Sequence, residues 1–370
     1  MKTVGIVFSN IHDKEVSELT SGRTLASVPF AGRYRLIDFV LSNMVNSGIY
    51  DVGVITKYNY QSLMEHIGTG KSWDLARKNG GLSILPPFGR ESSTVYSSRF
   101  EAISNCAYYL RDSSATHVVM SDCDNVCNID FSDALNFHIE KGADITVICH
   151  KKAIPAGDDK MRTALEIDSG GRVRKVVTGT KHSGTINAFT NMLIINRGFL
   201  LGIIDNAEEL GYKSFSRDVL IRGVDTYNIC ACEHKGYFAS IDSMANYYRH
   251  TLELLDKHNR DELFRGAGAI YTKVHDSAPS KITETGSVHN SLIADGCVIE
   301  GEVENSVLFR DVHVAKGAKV SNSILFNSVA VESDSSVNCV IADKSVVVLG
   351  GRTLSGHETR PYFLPKNTIV

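Results

Sequence analysis

Apolar and polar positions along this chain follow two rhythms, one up to residue 258 and another from residue 286. In the first stretch, short apolar runs alternate with segments of helical spacing. Val4–Phe8 predicts a buried strand. Leu36, Ile37, Val40, Leu41, Met44 and Val45 recur at helical spacing, with Gly48 placed to end the helix. Val52–Thr56 predicts the next strand, so the order is that of a βαβ unit. Further on, Phe100–Arg111 predicts a helix, His117–Met120 a strand, Phe131–Lys141 a helix stopped by Gly142, Ile145–Cys149 a strand and Met244–His258 a helix. The alternation predicts an α/β domain over 1–258, with a mostly parallel sheet between helices. Ligands of such sheets sit beyond the carboxyl ends of the strands, which singles out the residues after Phe8, Thr56 and Met120.

Residues 259–285, which include the aperiodic Ala267–Thr285, read as a linker. From there to residue 370 the sequence repeats. Asn290-Ser291-Leu292, Asn305-Ser306-Val307, Asn322-Ser323-Ile324 and Asn338-Cys339-Val340 recur at spacings of 15, 17 and 16. Within each turn an apolar residue returns every six positions: Leu308, Val314 and Val320, then Leu325, Val331 and Val337, with Ile341 and Val347 opening a third set. A period of six nested in one of about sixteen predicts a hexapeptide β-helix with three strands per coil. Each coil buries its apolar row only against its neighbours, so this part reads as a packing and assembly module.

Charge and composition exclude some functions. Lys+Arg total 39 and Asp+Glu 42, a net charge of -3. That balance argues against a protein built to bind nucleic acid. No apolar stretch approaches the ~18 residues of a membrane helix, so no membrane partner is expected. The eight cysteines are irregularly spaced. Cys123 with Cys127 and Cys230 with Cys232 are close, but neither pair has C-x-x-C spacing. They predict small buried thiols in a reducing cytoplasm. Of the histidines, His66 and His117 read as structural, His12 and His182 as exposed.

Three segments carry the recognisable chemistry. The first is Val28-Pro29-Phe30-Ala31-Gly32-Arg33-Tyr34-Arg35-Leu36-Ile37-Asp38. The second combines Trp73-Asp74-Leu75, Arg77-Lys78-Asn79-Gly80-Gly81 and Leu85-Pro86-Pro87. The third is the hexapeptide coils. Together they resemble the bacterial ADP-glucose pyrophosphorylases, or glucose-1-phosphate adenylyltransferases, over almost the whole chain. The resemblance implies a Rossmann-like nucleotidyltransferase domain followed by a β-helix, left-handed by the family's example. It also implies a reaction: a glucose 1-phosphate oxygen attacks the α-phosphorus of ATP and expels pyrophosphate, with Mg²⁺ and cationic side chains stabilising the charge.

Several positions depart from the family pattern. The glycine-rich phosphate loop is represented by Ser9-Asn10-Ile11-His12-Asp13-Lys14-Glu15, without its glycines. Arg23 remains as a ligand-binding candidate, but the phosphate-binding lysine is Leu25. Tyr96 keeps the place of a tyrosine near the sugar phosphate, ahead of Ser98-Arg99-Phe100-Glu101-Ala102. Asp124, or Asp122 with a one-residue offset, matches a metal-binding aspartate. A Glu-Lys pair is replaced within Val176–Thr180, Thr190 stands for a sugar-contacting serine, and a second metal aspartate is Ser240, with Asp242 two positions on. Arg172, Arg174, Lys175 and Lys181 would give the old substrate region positive charge.

These losses resemble the GlgD-type companion subunits of that family. The resemblance implies a regulatory subunit, weakly active or inactive, with no cofactor of its own and Mg²⁺ in the catalytic partner. Its expected setting is a cytoplasmic hetero-oligomer, a tetramer by resemblance, that supports glycogen biosynthesis and responds to sugar-phosphate effectors. Arg33, Arg35, Trp73, Arg77 and Lys78 are the effector or interface candidates. Their plainer readings are an Arg35–Asp38 ion pair, a packing anchor at Trp73, and a solvated face at Arg77-Lys78. Two other functions remain open: an active adenylyltransferase whose rebuilt pocket holds Mg²⁺ on Asp122, Asp124 and Asp242, and a non-enzymatic sugar-phosphate sensor.

Overall fold

A computed structural model describes residues 2–87, 96–154 and 160–370. The α/β part contains β1 (Thr3–Phe8), β2 (Asp51–Ile55), β3 (Gly81–Leu85), β4 (His117–Asp122), β5 (Asn125–Cys127), β6 (Ile145–Ile154), β7 (Arg162–Ile167), β8 (Val173–Thr180), β9 (Gly184–Asn196), β10 (Ile229–Glu233) and β11 (Phe238–Ser240). Its main sheet runs β8-β7-β9-β4-β1-β2-β3, with β6 beside β9 and β10 beyond β6. Strands β1 to β4 pair in parallel, as do β6 and β10. β9 is antiparallel to β4, β6 and β7, and β7 to β8. The sheet is therefore mixed rather than mostly parallel. Short connections such as the Asp168 turn between β7 and β8 join strands directly, and only antiparallel neighbours can be joined that way. Asp168 Oδ1 holds that turn by accepting the N–H groups of Gly170 and Arg172, both at 2.9 Å.

Alternate side chains of β1 reach opposite faces. Ile6 and Phe8 enter one apolar layer with Val118 and Met120, and Val7 enters the other with Val52, Val54 and Val119. Helix α1 (Leu36–Asn46) covers the second layer, close to its expected bounds. The expected helix over Phe100–Arg111 is two, α2 (Arg99–Asn105) and α3 (Ala107–Asp112), broken at Cys106. Helix α4 (Phe131–Glu140) follows. Met244–His258 also divides, into α5 (Met244–Glu253) and α6 (Lys257–Arg265). Asp256 causes this break by capping the N–H groups of His258 and Asn259. Helix α6 crosses the expected boundary at residue 258, and the short strand Lys281–Ile282 lies inside the expected linker. No helix among the described residues is long and apolar enough to cross a membrane.

The repeats form three five-stranded parallel sheets, each taking one strand from every coil. The corner residues Asn290, Asn305, Asn322 and Cys339 all have positive φ, between 40° and 51°. Three are asparagine, which tolerates that conformation. In the fourth of the five coils the corner is Cys339, because Asn338 lies opposite Ser321. The repeat register is thus one residue later than the Asn338 alignment implied. The third apolar set is accordingly Ala342, Val348 and Leu354, which stack on Leu325, Val331 and Val337. Serines run up the corner: Ser306 N donates to Ser291 Oγ and Ser323 N to Ser306 Oγ, each at 3.0 Å. Ser306→Ala should cost ~1–3 kcal/mol, read from chemical denaturation, because it leaves the buried Ser323 N–H unpaired.

The two parts share one core. Leu25, Phe30, Phe39 and Tyr247 pack with Phe309, Phe326 and Ile341 of the β-helix. Tyr247 donates its hydroxyl to Pro29 O at 2.7 Å.

Candidate functional site

A cleft of about 560 Å³ opens beyond the carboxyl ends of β1 and β4, where the strand order placed it. His12, Arg99, Asp124, Asn191, Ser240 and Asp242 are among its lining residues. Its floor is an ionic cluster. Strand β4 ends on Asp122, which is fully buried. Arg99 is the first residue of α2, set in place because Ser98 Oγ caps Glu101 N at 3.1 Å. Its Nη2 contacts Asp122 Oδ2. His12 Nε2 lies 2.8 Å from the same oxygen and 3.8 Å from Asp124 Oδ2, while its Nδ1 lies 2.9 Å from Glu15 Oε1.

With a carboxylate facing each ring nitrogen, His12 is placed to donate from both as an imidazolium. Burial alone would favour the neutral ring, but Asp124, Asp122 and Glu15 raise its pKa well above the ordinary value. Burial likewise opposes the charge on Asp122, and Arg99 and His12 overcome it, holding that carboxyl below its usual range. Asp124 goes the other way: burial and the neighbouring Asp122 charge push its carboxyl up. Asn191 donates to Asp124 Oδ2 at 3.2 Å.

The Mg²⁺ that the resemblance implies does not fit these residues. Hard divalent cations need several free oxygen ligands, and Asp122 and Asp124 leave only one oxygen each, their Oδ1 atoms, without a hydrogen-bond partner among the described residues. Here Asp122 Oδ2 serves two protein cations, and Asp242 Oδ1 is 2.7 Å from Lys160 Nζ and also meets Asn246. Ser240, a neutral residue, lines the cleft where the resemblance places a second metal aspartate. His12, Asp122 and Asp124 bring ligand atoms within 4.8 Å of one another, but His12 Nε2 is already taken up by Asp122 Oδ2 at 2.8 Å.

The predicted residues fall in different places. Asp124 lines the cleft. Tyr96 is buried and hydrogen-bonded to Asn10 at 3.1 Å. Thr190 is also buried and turns its hydroxyl away, donating to Ile148 O at 2.8 Å, so the neighbouring Asn191 faces the cleft instead. Arg174 and Lys175 are paired with Asp168 and Glu166. His12, expected in solvent, lies inside the site with its side chain 18% exposed. Arg77 stacks on Tyr50 and pairs with Asp74, and Lys78 is exposed. Trp73 is buried edge-on to His66, as a packing anchor would be. Sequence reasoning missed His12 and Arg99 as site residues. The strand-end rule pointed toward His12, and Arg99 lies in the Ser98–Ala102 segment that follows Tyr96.

Arg23 does not line the cleft. It crosses to the β-helix, where its Nη2 lies 2.5 Å from Asp343 Oδ2. Arg35 and Asp38 do not form the expected ion pair. Asp38 Oδ2 accepts the Arg35 backbone N–H at 3.0 Å and its Oδ1 faces His66 Nε2 at 2.5 Å, while Arg35 Nη1 donates to Ser62 O at 2.6 Å. Arg23, Arg35, Arg310 and Lys344 thus form a cationic cluster at the junction of the two parts. Arg33 joins its rim, half exposed and 3.9 Å from Asp295. Arg23 Nη1 and Arg310 Nη2 are buried without a hydrogen-bond partner among the described residues.

Burial and the charges of Arg35 and Arg23 lower the Lys344 ammonium from 10.5 to about 8. Between those values the unfolded chain keeps a proton that the folded chain has released, so this group's contribution to stability rises with pH across that window. Lys344→Met is expected to flatten that rise and to gain stability at neutral pH. Melting temperatures of parent and variant across the window check it.

The fold and site define a nucleotidyltransferase-type α/β domain joined to a hexapeptide β-helix. A nucleotidyl transferase family profile matches residues 14–175, and a profile described as GlmU-like, C-terminal hexapeptide matches residues 275–359. The chain is 38% identical to the glycogen biosynthesis protein GlgD of Bacillus subtilis (strain 168) over 367 residues, 99% of this chain and 96% of that protein. GlgD of Geobacillus stearothermophilus is 39% identical over 86% of this chain and 83% of its own. The glucose-1-phosphate adenylyltransferase of Thermosipho melanesiensis is 30% identical over 85% of this chain and 76% of its own. The chain belongs to the family of bacterial glucose-1-phosphate adenylyltransferases and GlgD proteins.

Proposed function

We propose that this chain is a companion subunit of a glucose-1-phosphate adenylyltransferase in glycogen biosynthesis, with little turnover of its own. The observation that carries the reading is the fate of Leu25. It stands where the family resemblance places a phosphate-binding lysine, and its side chain is 1% exposed within the core shared with the β-helix. That position cannot present a cation to a phosphate. Ser240 in the cleft and the paired Asp242 support the same reading.

What the chain retains is the machinery of coupling. Arg23, Arg35, Arg310 and Lys344 gather charge between the two parts, where an anionic effector such as a sugar phosphate would relieve their mutual repulsion. An effector bound there would bias how the α/β domain sits on its β-helix. A subunit without turnover can then shift a catalytic neighbour, provided the interface favours one of the neighbour's conformations. The test is kinetic: the chain alone, a catalytic subunit alone, and the two mixed at several ratios, with and without sugar phosphates. Arg35→Gln should change the mixture's effector response more than its assembly, measured by saturation curves and size exclusion.

A further inference from the structure

The ionic floor of the cleft suggests a specific replacement. In a site that handles phosphate with a divalent cation, buried carboxylates are left open for the metal. Here the deepest carboxylate, Asp122, is fully buried and already carries two protein cations on one oxygen, Arg99 Nη2 and His12 Nε2. Arg99 is itself buried, and α2 holds its backbone in place. His12 is fixed from both sides, by Asp122 and by Glu15. Farther out, Lys152, Lys160 and Arg162 line the same cleft. The acidic side chains lining it are Glu15, Asp124 and Asp242, of which Glu15 meets His12 and Asp242 meets Lys160. Positive charge is therefore built into the protein at the place where a metal would have supplied it.

We propose that Arg99 and His12 are a protein-supplied counterion seated on Asp122, which displaces any divalent cation and lets the cleft receive phosphate-bearing anions without metal. This deepens the companion-subunit reading and rests on it in one respect, that the cleft performs no metal-assisted transfer. Two atoms make the idea testable by gain of function. Asp122 Oδ1 and Asp124 Oδ1 are buried without a hydrogen-bond partner among the described residues. Once the cations are removed, those oxygens and the freed Asp122 Oδ2 would be open to a metal ion.

The experiment uses the full chain and two probes, Mn²⁺ and inorganic phosphate. Mn²⁺ binding is followed by electron paramagnetic resonance for the parent, Arg99→Gln, Arg99→Lys and His12→Asn, each checked for folding by its melting curve. The parent and Arg99→Lys should hold Mn²⁺ weakly. Arg99→Gln or His12→Asn should bind it at least about tenfold more tightly. Should one of these two fail to fold, the other decides. In the parent, with chelator present, the His12 imidazole resonance should shift on adding phosphate; it is identified by its absence from His12→Asn. Stoichiometric Mn²⁺ binding by the parent overturns the proposal. So does an unchanged Mn²⁺ affinity in the folded variants, or a His12 resonance that responds to phosphate only when a divalent ion is added. None of these readouts needs the catalytic partner, so this proposal and the companion-subunit reading can fail separately.

Discussion

Purified free of any catalytic homologue, the chain should form ADP-glucose from ATP and glucose 1-phosphate at least ~10²-fold more slowly than a catalytic family member. Loss of one oriented charge at such a site costs ~10²–10³ in rate. Here the position of the phosphate-binding lysine is a core leucine, Leu25, and Ser240 supplies no carboxylate to the cleft. Asp122 is engaged by Arg99 and His12. Such losses do not add within a single site, so the expected deficit is a floor and not a product. Mixed with a catalytic subunit, the same chain should enter a hetero-oligomer, most simply a tetramer, whose substrate affinity, maximal rate or effector response differs from that of the catalytic homo-oligomer. Turnover by the isolated chain matching a catalytic homologue would instead favour the rebuilt-pocket enzyme. Separate elution, with the catalytic subunit's saturation curve unchanged at every ratio, would favour the sensor.

The second large effect concerns stability. Asp343→Ala should cost ~3–5 kcal/mol, because it leaves the Arg23 guanidinium buried without its counterion. The side chains of Arg23 and Asp343 are only 8% and 4% exposed, so water cannot take over the solvation. Arg23 also lies beside Lys344 and Arg35, which repel it once Asp343 is gone. Replacing both partners, as in Arg23→Met with Asp343→Leu, should recover most of the loss, since the pair is costly to bury and most damaging when half removed. Denaturant titration of the parent, the single variant and the double variant forms the cycle. If Asp343→Ala unfolds at the parent's midpoint with the parent's slope, this ion pair contributes nothing to the joining of the two parts.

Much of the architecture is written locally. The apolar run Val4–Phe8 and the spacing from Leu36 to Val45 are local facts, and each became its element with ends moved by a residue or two. The β-helix was legible because a solenoid repeats the same burial requirement in every coil. The register of its fourth corner was misread because Asn338 looks like a corner residue in a one-dimensional alignment, while strand pairing gives the left-handed position to Cys339. The antiparallel strands β7 to β9 were not anticipated: β7 and β8 form a hairpin about the Asp168 turn, and β9 pairs with β4, β6 and β7, partners that its own local pattern does not specify.

The site divides in the same way. The chain alone determined which residue types were missing: no glycines around Asn10, a leucine at 25 and a serine at 240. It also directed attention to the ends of β1 and β4. Only the tertiary structure decided what the remaining charges do. Arg23 and Asp343 lie 320 residues apart in sequence, and His12 and Asp122 lie 110 apart. A histidine between Ile11 and Asp13 in a mostly polar segment looks solvent-exposed until the sheet sets β1 against β4 and brings two carboxylates to its ring. Identity and spacing along a chain say what each side chain can offer. Burial and counterions come from segments remote in sequence, and they settle whether Arg23, Thr190 or His12 faces a ligand, a backbone carbonyl or another charge.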